Sequence, residues 1–387
     1  MATSRNAPDG SPRRIAVLSS RTESLVWYRL EMMQAFVESG LEVYAVGSDP
    51  DPAWKDRFGG YGIPYESIRV QRNGTDPLAD IRTFLDLSRF LRRTRPDLVF
   101  AYQAKTLVYG ALASRLHGIR DVHLLVSGIG SVLRRKGFDP LKAVTLFLYR
   151  MACRSARTVI FHNVEDRDAF VEDRIVESAK TRVVDGSGVN LEYFRPVPMP
   201  EKPAFLYLGR LIKDKGVREY LEASRILKER HPEVRCLLVG PFDTNPTSLR
   251  EEELRPYVEK GIVEHIDFQE DVRPYLAECT AFVLPSYREG LPKSALEAMA
   301  VGRPILTCDS PGCRSVVTDG VNGYLVPVAD AQGLAERMEY LVRNPEAGER
   351  LACEGRRIVS ERYDVRFINR DILGILGIPS AHGRYAS

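Results

Sequence analysis

Six cysteines occur among the 387 residues, and no two of them form a C-x-x-C pair. Cys153, Cys236, Cys279, Cys308, Cys313 and Cys353 are scattered, which argues against a disulfide framework or a zinc site and fits a reduced cytosolic protein. No run of about 18 apolar residues occurs, so no transmembrane helix is expected. Residues 1–13 are polar, with Pro8, Gly10 and Pro12. They lack the apolar centre of a signal peptide and read as a disordered leader. The six histidines show no metal-ligand spacing, and neither a G-x-S-x-G elbow nor a P-loop is present.

What is there suits a soluble two-domain protein. The length is generous for one domain, and 44% hydrophobic against 28% charged residues is enough for a real core. The net charge of +3 conceals an asymmetry: residues 1–200 hold 29 basic and 23 acidic side chains, a balance of +6. Between 82 and 157, fifteen basic side chains stand against four acidic ones. Such a stretch should attract anions, whether nucleic acid, an anionic leaflet or a pyrophosphate; the alternative is an arginine-rich helix surface.

Short apolar runs alternate with helical patterns. Arg14–Ser19, Leu41–Val46, Asp97–Ala101, His123–Val126 and Thr158–Phe161 read as buried strands, with helices between them, notably Ile81–Thr94 and Leu141–Ser155. Four prolines in residues 195–203 (RPVPMPEKP) break any element and predict a linker over 196–203. Alternation resumes with Ala204–Leu208, Arg235–Val239, Val263–Ile266, Ala281–Leu284 and Pro304–Leu306. The expected fold is α/β: two Rossmann-like parallel-sheet domains, 14–195 and 204–362, facing a central cleft where the strands' carboxyl ends meet a ligand.

Two motifs carry chemistry. In the first, Tyr287-Arg288-Glu289-Gly290-Leu291-Pro292-Lys293-Ser294-Ala295-Leu296-Glu297 follows a strand. Pro292 suits the first turn of a helix, and amides around Gly290–Ala295 would lack intrahelical partners, making a site for phosphate or sugar hydroxyls. Glu289 and Glu297, eight residues apart, could address two ends of an elongated ligand. In the second, Gly209-Arg210-Leu211-Ile212-Lys213-Asp214-Lys215-Gly216 sets a guanidinium and an ammonium beside a backbone able to approach a ligand closely. Asp49-Pro50-Asp51 and Asp166-Arg167-Asp168 match D-x-D but read as turn or helix-cap residues, and His162 sits where a strand ends.

Gly209-Arg210…Lys215-Gly216, Glu289-x7-Glu297, Gly302-Arg303-Pro304 and Asn322-Gly323-Tyr324-Leu325-Val326 resemble the family 4 retaining glycosyltransferases of the GT-B fold, over about Arg14 to Phe367. The resemblance implies that Arg210 and Lys215 hold a donor diphosphate and that Glu289, the third residue of that catalytic set, addresses the sugar. Glu297 would address the nucleotide ribose. It further implies donor contacts from Gly209, Gly290, Leu291, Ser294, Ala295 and Gly188. Trp27-Tyr28-Arg29, Tyr102-Gln103-Ala104-Lys105, Ser127-Gly128-Ile129-Gly130, Phe161-His162-Asn163 and Gly186-Ser187-Gly188-Val189-Asn190 resemble a polysaccharide-assembly subgroup that extends sugars on polyprenyl diphosphate, commonly from UDP-N-acetylhexosamines. Arg29, Gln103, Lys105, Ser127 and Gly128 become acceptor-side candidates.

Two departures from the family pattern stand out. The usual Gly-Gly turn is replaced by Ser19-Ser20-Arg21-Thr22-Glu23, and Ser127-Gly128 stands where many members place a histidine, so no catalytic histidine carries over. The implied protein is a retaining, metal-independent glycosyltransferase without a cofactor, using a UDP-sugar donor. It would bind a lipid-linked saccharide and an anionic membrane surface but no nucleic acid, and would lie in the cytoplasm at the inner face of the plasma membrane. Its C-terminal segment, 363–387, is expected to cross back to the first domain. A soluble acceptor, a UDP-sugar epimerase of similar fold and a binding protein with a dead nucleotide site are the other readings.

Overall fold

The computed structural model describes residues 12–71, 74, 76–129 and 139–379. Residues 1–11 of the expected leader, Gly130 of the Ser127–Gly130 motif, the basic cluster Arg134–Lys136 and the last eight residues lie outside the described residues. Near the start of the described residues, the Arg13 guanidinium meets Asp121 at 3.1 Å and the Arg13 carbonyl accepts from Glu42 N–H.

The chain forms two compact units: Met1–Ser187 with Ile368–Ser387, and Gly188–Phe367. The first holds seven strands: β1 (Arg14–Leu18), β2 (Glu42–Gly47), β3 (Tyr65–Ser67), β4 (Leu98–Tyr102), β5 (Asp121–Val126), β6 (Thr158–Phe161) and β7 (Thr181–Val183). They lie parallel in the order β3-β2-β1-β4-β5-β6-β7. Two-residue periodicity divides their side chains between the faces. Ala16, Leu18, Val99 and Ala101 join one core, under the helices Pro77–Thr94, Ala104–Leu116 and Pro140–Ser155. Ile15, Val17, Leu98 and Phe100 join the other, under the helices Thr22–Glu38 and Pro52–Gly59. That second core also takes Ile368, Ile372 and Leu373 from the last helix, Val365–Ile375.

Three helices here begin on the same dipeptide. Asp51-Pro52, Asp76-Pro77 and Asp139-Pro140 each place a carboxylate at the cap, accepting at 2.9 Å from Ala53, Leu78 and Leu141 N–H, with proline in the first turn. Asp51 of the D-x-D triplet is thus a cap, and Asp49 accepts from the Trp54 indole.

The second unit holds six parallel strands: β8 (Ala204–Leu208), β9 (Arg235–Val239), β10 (Glu264–Ile266), β11 (Ala281–Leu284), β12 (Ile305–Cys308) and β13 (Gly323–Val326), in the order β10-β9-β8-β11-β12-β13. The edge strands β3, β7 and β13 were not anticipated. At three or four residues each, with β3 and β7 largely polar, they carry too little periodicity to read.

The division at Ser187/Gly188 precedes the proline-rich stretch, which a buried guanidinium helps tie to the second unit. Arg303 is fully buried and donates to the carbonyls of Leu276, Ala277 and Gly302 and, from the proline stretch, of Val197 and Pro198. Val197 N–H donates in turn to Val301 O, and Val189 lies in the second core. Residues 188–203 are therefore fastened to the second unit.

Replacing Arg303 by Ala should strand these buried carbonyls and lower stability by roughly 3 kcal/mol or more. Arg303→Lys, with three donors in place of five, should recover only part. Urea unfolding followed by tyrosine fluorescence and circular dichroism measures both; an alanine variant as stable as the parent would contradict the clamp.

Candidate functional site

In each sheet the chain leaves the central strand in one direction and returns on its other side, so neighbouring loops part at the carboxyl edge and open a crevice. The first sheet reverses between β1 and β4 and the second between β8 and β11. Both crevices collect residues singled out in the sequence.

In the second unit the loop after β8 carries Gly209, Arg210, Lys215 and Gly216, and the loop after β11 carries Ser286, Glu289, Gly290 and Leu291. The loops touch through backbone. Gly216 is left-handed (φ +71°), and a Cβ on it would stand 2.0 Å from the Pro285 carbonyl oxygen. Tyr287 N–H donates to Asp214 O at 2.9 Å across the same seam. Behind them Gly312 (φ +79°) leaves no room for a Cβ, which would fall 2.3 Å from Glu289 O, and Glu289 N–H donates to Pro311 O.

This frame brings Lys215 Nζ to 2.5 Å from Glu289 Oε1, and the same oxygen accepts from Ser286 Oγ at 2.7 Å. Arg210 Nη1 donates to Asp243 Oδ2 at 2.9 Å. Each of the two cations is therefore held by its own carboxylate. Arg210 keeps about a third of its side chain exposed while Asp243 is almost buried. Asp243 and Ser286 were missed in the sequence. Asp243 sits in a turn closed by its own side chain, which accepts from Asn245 N–H at 2.9 Å, and Asp-x-Asn after a strand was the only signal available.

The helix after Glu289 runs Lys293–Val301, with Pro292 as its cap residue and not inside its first turn. Ala295 N–H, expected to be open, donates to Pro292 O at 3.1 Å; Ser294 follows the cap more closely. Glu297 is half-buried on this helix, beside the buried Leu296 and Ala298. Gly188 is left-handed (φ +69°) and buried where the second unit begins.

In the first unit, Arg29 and Gln103 are linked through Tyr102 and Ser24. Gln103 has φ 64° and ψ 141°, a region costly for any side chain, and its amide repays part of that strain. Its Oε1 accepts from Ser19 Oγ and Ser20 N–H, and its Nε2 donates to Ser24 Oγ. The Ser19-Ser20 turn thus holds Gln103. Ser24 Oγ also bonds the Tyr102 hydroxyl, and Arg29 lies over the Tyr102 ring at 5.2 Å.

Arg29 is 3% exposed, and its Nε has no hydrogen-bond partner among the described residues. Burial pushes its pKa down to about 10. Its Nη2 lies 3.4 Å from His162 Nε2. A guanidinium only donates, so Nε2 is the accepting nitrogen and the ring is neutral. Burial first and the Arg29 charge second hold the His162 pKa near 3. The other candidates stand apart: Lys105 Nζ is bound to Asp80 at 2.6 Å, and Ser127 and Gly128 are exposed after β5. Among the described residues, no three His, Cys, Asp or Glu side chains gather to hold a metal ion.

The chain matches the family described as glycosyl transferase 4-like domain over residues 25–185, and that described as glycosyl transferases group 1 over 191–358. It is 26% identical to the Campylobacter jejuni N,N'-diacetylbacillosaminyl-diphospho-undecaprenol alpha-1,3-N-acetylgalactosaminyltransferase, over 88% of this chain and 92% of that protein. It is 25% identical to the Escherichia coli UDP-Gal:alpha-D-GlcNAc-diphosphoundecaprenol alpha-1,3-galactosyltransferase, over 65% and 68%. Among solved structures, Anabaena HepE in complex with UDP and glucose superposes with a TM-score of 0.77 at 20% identity, over 94% of this chain and 99% of that one. That likeness gives the GT-B fold.

The neutral His162 has a measurable consequence. Its folded pKa lies below the unfolded value of about 6.5, so its contribution to stability is complete above that pH and is lost as pH falls toward 3. Over that range the wild type should lose as much as ~1.4 kcal/mol per pH unit more than His162→Gln. Urea midpoints across this window test it; parallel curves for the two proteins would contradict it.

Proposed function

The chain belongs to the glycosyltransferases built from these two domain types, and from that premise we propose that it moves a sugar from a UDP-linked donor onto a saccharide carried on polyprenyl diphosphate, with retention of configuration. An N-acetylhexosamine is the proposed donor sugar. Two relatives are named for undecaprenyl-diphosphate-linked acceptors, and HepE was solved with UDP, which supports this reading.

The observation that carries it is the doubly paired site at the β8/β11 crevice. A nucleotide diphosphate offers two anionic groups to compete with Asp243 and Glu289 for Arg210 and Lys215. Once bound, it would sit between a planar fork and a mobile ammonium, both already positioned. As the bond from the sugar to the diphosphate breaks, negative charge grows on the departing phosphate, and these cations stabilise it more than they stabilise the intact donor. Glu289, released from Lys215, would turn to the sugar and its developing positive charge, and the departing phosphate would accept the acceptor's proton. Glu297 is assigned to the ribose. Backbone of Gly209, Gly290 and Leu291, with the Ser294 amide, completes the donor contacts; the bond from Ala295 N–H to Pro292 weakens the case for that amide. Gly188 remains a donor-side candidate.

The acceptor is assigned to the first unit, where Arg29, Gln103, Lys105, Ser127 and Gly128 are the candidates. No metal or cofactor enters this mechanism, and no nucleic acid enters as a partner. Among the described residues no helix is long and apolar enough to cross a membrane. A lipid-linked acceptor places the enzyme at the inner face of the plasma membrane, bound peripherally.

Arg210→Ala and Lys215→Ala should each lower kcat/KM by about 100–1000-fold. Glu289→Gln should lower kcat more than it changes donor KM, because its proposed role lies in the transition state. Nucleotide release in coupled assays, with melting curves to confirm folding, measures all three. Activity within threefold of the parent in a folded Arg210 or Lys215 variant would sink the assignment.

A further inference from the structure

We infer that the outer faces of two helices in the first unit form a docking surface for an anionic lipid bilayer, which rests on, and deepens, the reading of the acceptor as lipid-linked.

A helix covering a sheet normally turns its apolar stripe inward and its polar face to water. The helix Pro140–Ser155 buries Tyr149, Ala152 and Cys153 on its inner side, as it should. Its outer side is apolar too. Val144, Phe147 and Met151 follow one another at three- and four-residue spacing, with Ala143 beside Val144, and all are exposed, Val144 by 56% and Phe147 by 59%. The helix Pro77–Thr94 repeats the pattern. Thr83, Leu87, Phe90 and Leu91 face inward, while Leu78, Ile81 and Leu85 stand outward, Leu78 by 65%. Both helices pack against Ala104–Leu116, which lies between them, so the two rows belong to one side of the unit.

Charge selects the occupant. Arg82 and Arg92 are exposed beside the first row, and Arg154 continues the second. There is no glutamate between Glu66 and Glu165. The two aspartates within the helix Pro77–Thr94 are already engaged: Asp80 with Lys105 and Tyr109, and Asp86 with Arg69 and Arg89. An apolar row edged by arginines whose neighbouring carboxylates are spent is the composition of an interfacial helix on anionic lipid. A second copy of this chain would set two such cationic faces against each other.

Topology adds a direction. In a parallel sheet each connecting helix starts at the strands' carboxyl edge. Both apolar rows begin in the first turns of their helices, so they start at the edge that carries Gln103 and the β1/β4 crevice. A bilayer on this face would present a polyprenyl diphosphate at the edge assigned to the acceptor.

The test is co-sedimentation of the full chain with phosphatidylcholine vesicles, with and without phosphatidylglycerol, at low and high salt. The wild type should pellet with the anionic vesicles only and be released by salt. Phe147→Glu and Ile81→Glu should each weaken binding at least about tenfold, and Arg92→Ala by roughly fivefold. Val258→Glu, at an exposed position of the second unit, should change nothing. Melting curves establish that each variant is folded. Failure of the wild type to pellet, or folded Glu variants that pellet like the wild type, would overturn the proposal. So would a wild-type dimer that these substitutions dissociate without altering pelleting, which would assign the face to a second copy. A water-soluble acceptor analogue keeps the two readings separate: the Glu variants should turn it over at the wild-type rate. Vesicle binding without any turnover would sink the transferase reading alone.

Discussion

A backbone contact with no room for a methyl group holds the candidate site together. The Lys215–Glu289 pair exists because Gly216 lets the loop after β8 lie against the Pro285 carbonyl, and because Gly312 lets a third loop close behind Glu289. A side chain at either glycine would face both a strained left-handed backbone and a carbonyl within bonding range. The paired charges are therefore a product of chain packing at the point where the sheet reverses direction. A long lysine and a glutamate could not hold a 2.5 Å contact at a solvent boundary without it.

The two units manage buried charge in opposite ways. In the second, both cations carry a carboxylate partner and neither is isolated. Under the proposed function, a diphosphate entering there would exchange one anion for another, which would keep the desolvation cost of binding low. In the first, Arg29 has an aromatic face and a neutral imidazole and, among the described residues, no carboxylate at ion-pair distance, so burial outweighs the opposing influence of Tyr102 and Tyr28. His162 stays neutral for the same reason, since a second cation beside Arg29 would be prohibitive. A third treatment of charge is purely structural. Arg303 spends its fork chiefly on backbone carbonyls and ties the proline stretch to the unit that follows it.

Much of this was legible in the residues. The alternation of short apolar runs and helical patterns identified the central strands of both sheets, because a strand buried on two faces is apolar at nearly every position. The edge strands β3, β7 and β13 escaped because one neighbour and few residues leave no pattern. Glycines, cations and carboxylates of the second unit were visible as motifs, and Lys215 and Glu289 do meet. Their mutual pairing was not visible, nor was Asp243, since contacts between residues 74 and 33 positions apart depend on how loops fold back. The 82–157 stretch looked like an anion attractor by composition alone. Only the structure shows that its helices turn apolar side chains outward among the arginines.

The most direct test follows nucleotide release and product mass from UDP-, GDP- and ADP-sugars, with and without polyprenyl-diphosphate-linked saccharide and with and without EDTA. The account predicts release of UDP that requires the acceptor, ignores EDTA and yields one added sugar with the donor's anomeric configuration. Interconversion of the donor sugar without acceptor, or no nucleotide released under any condition, would contradict it.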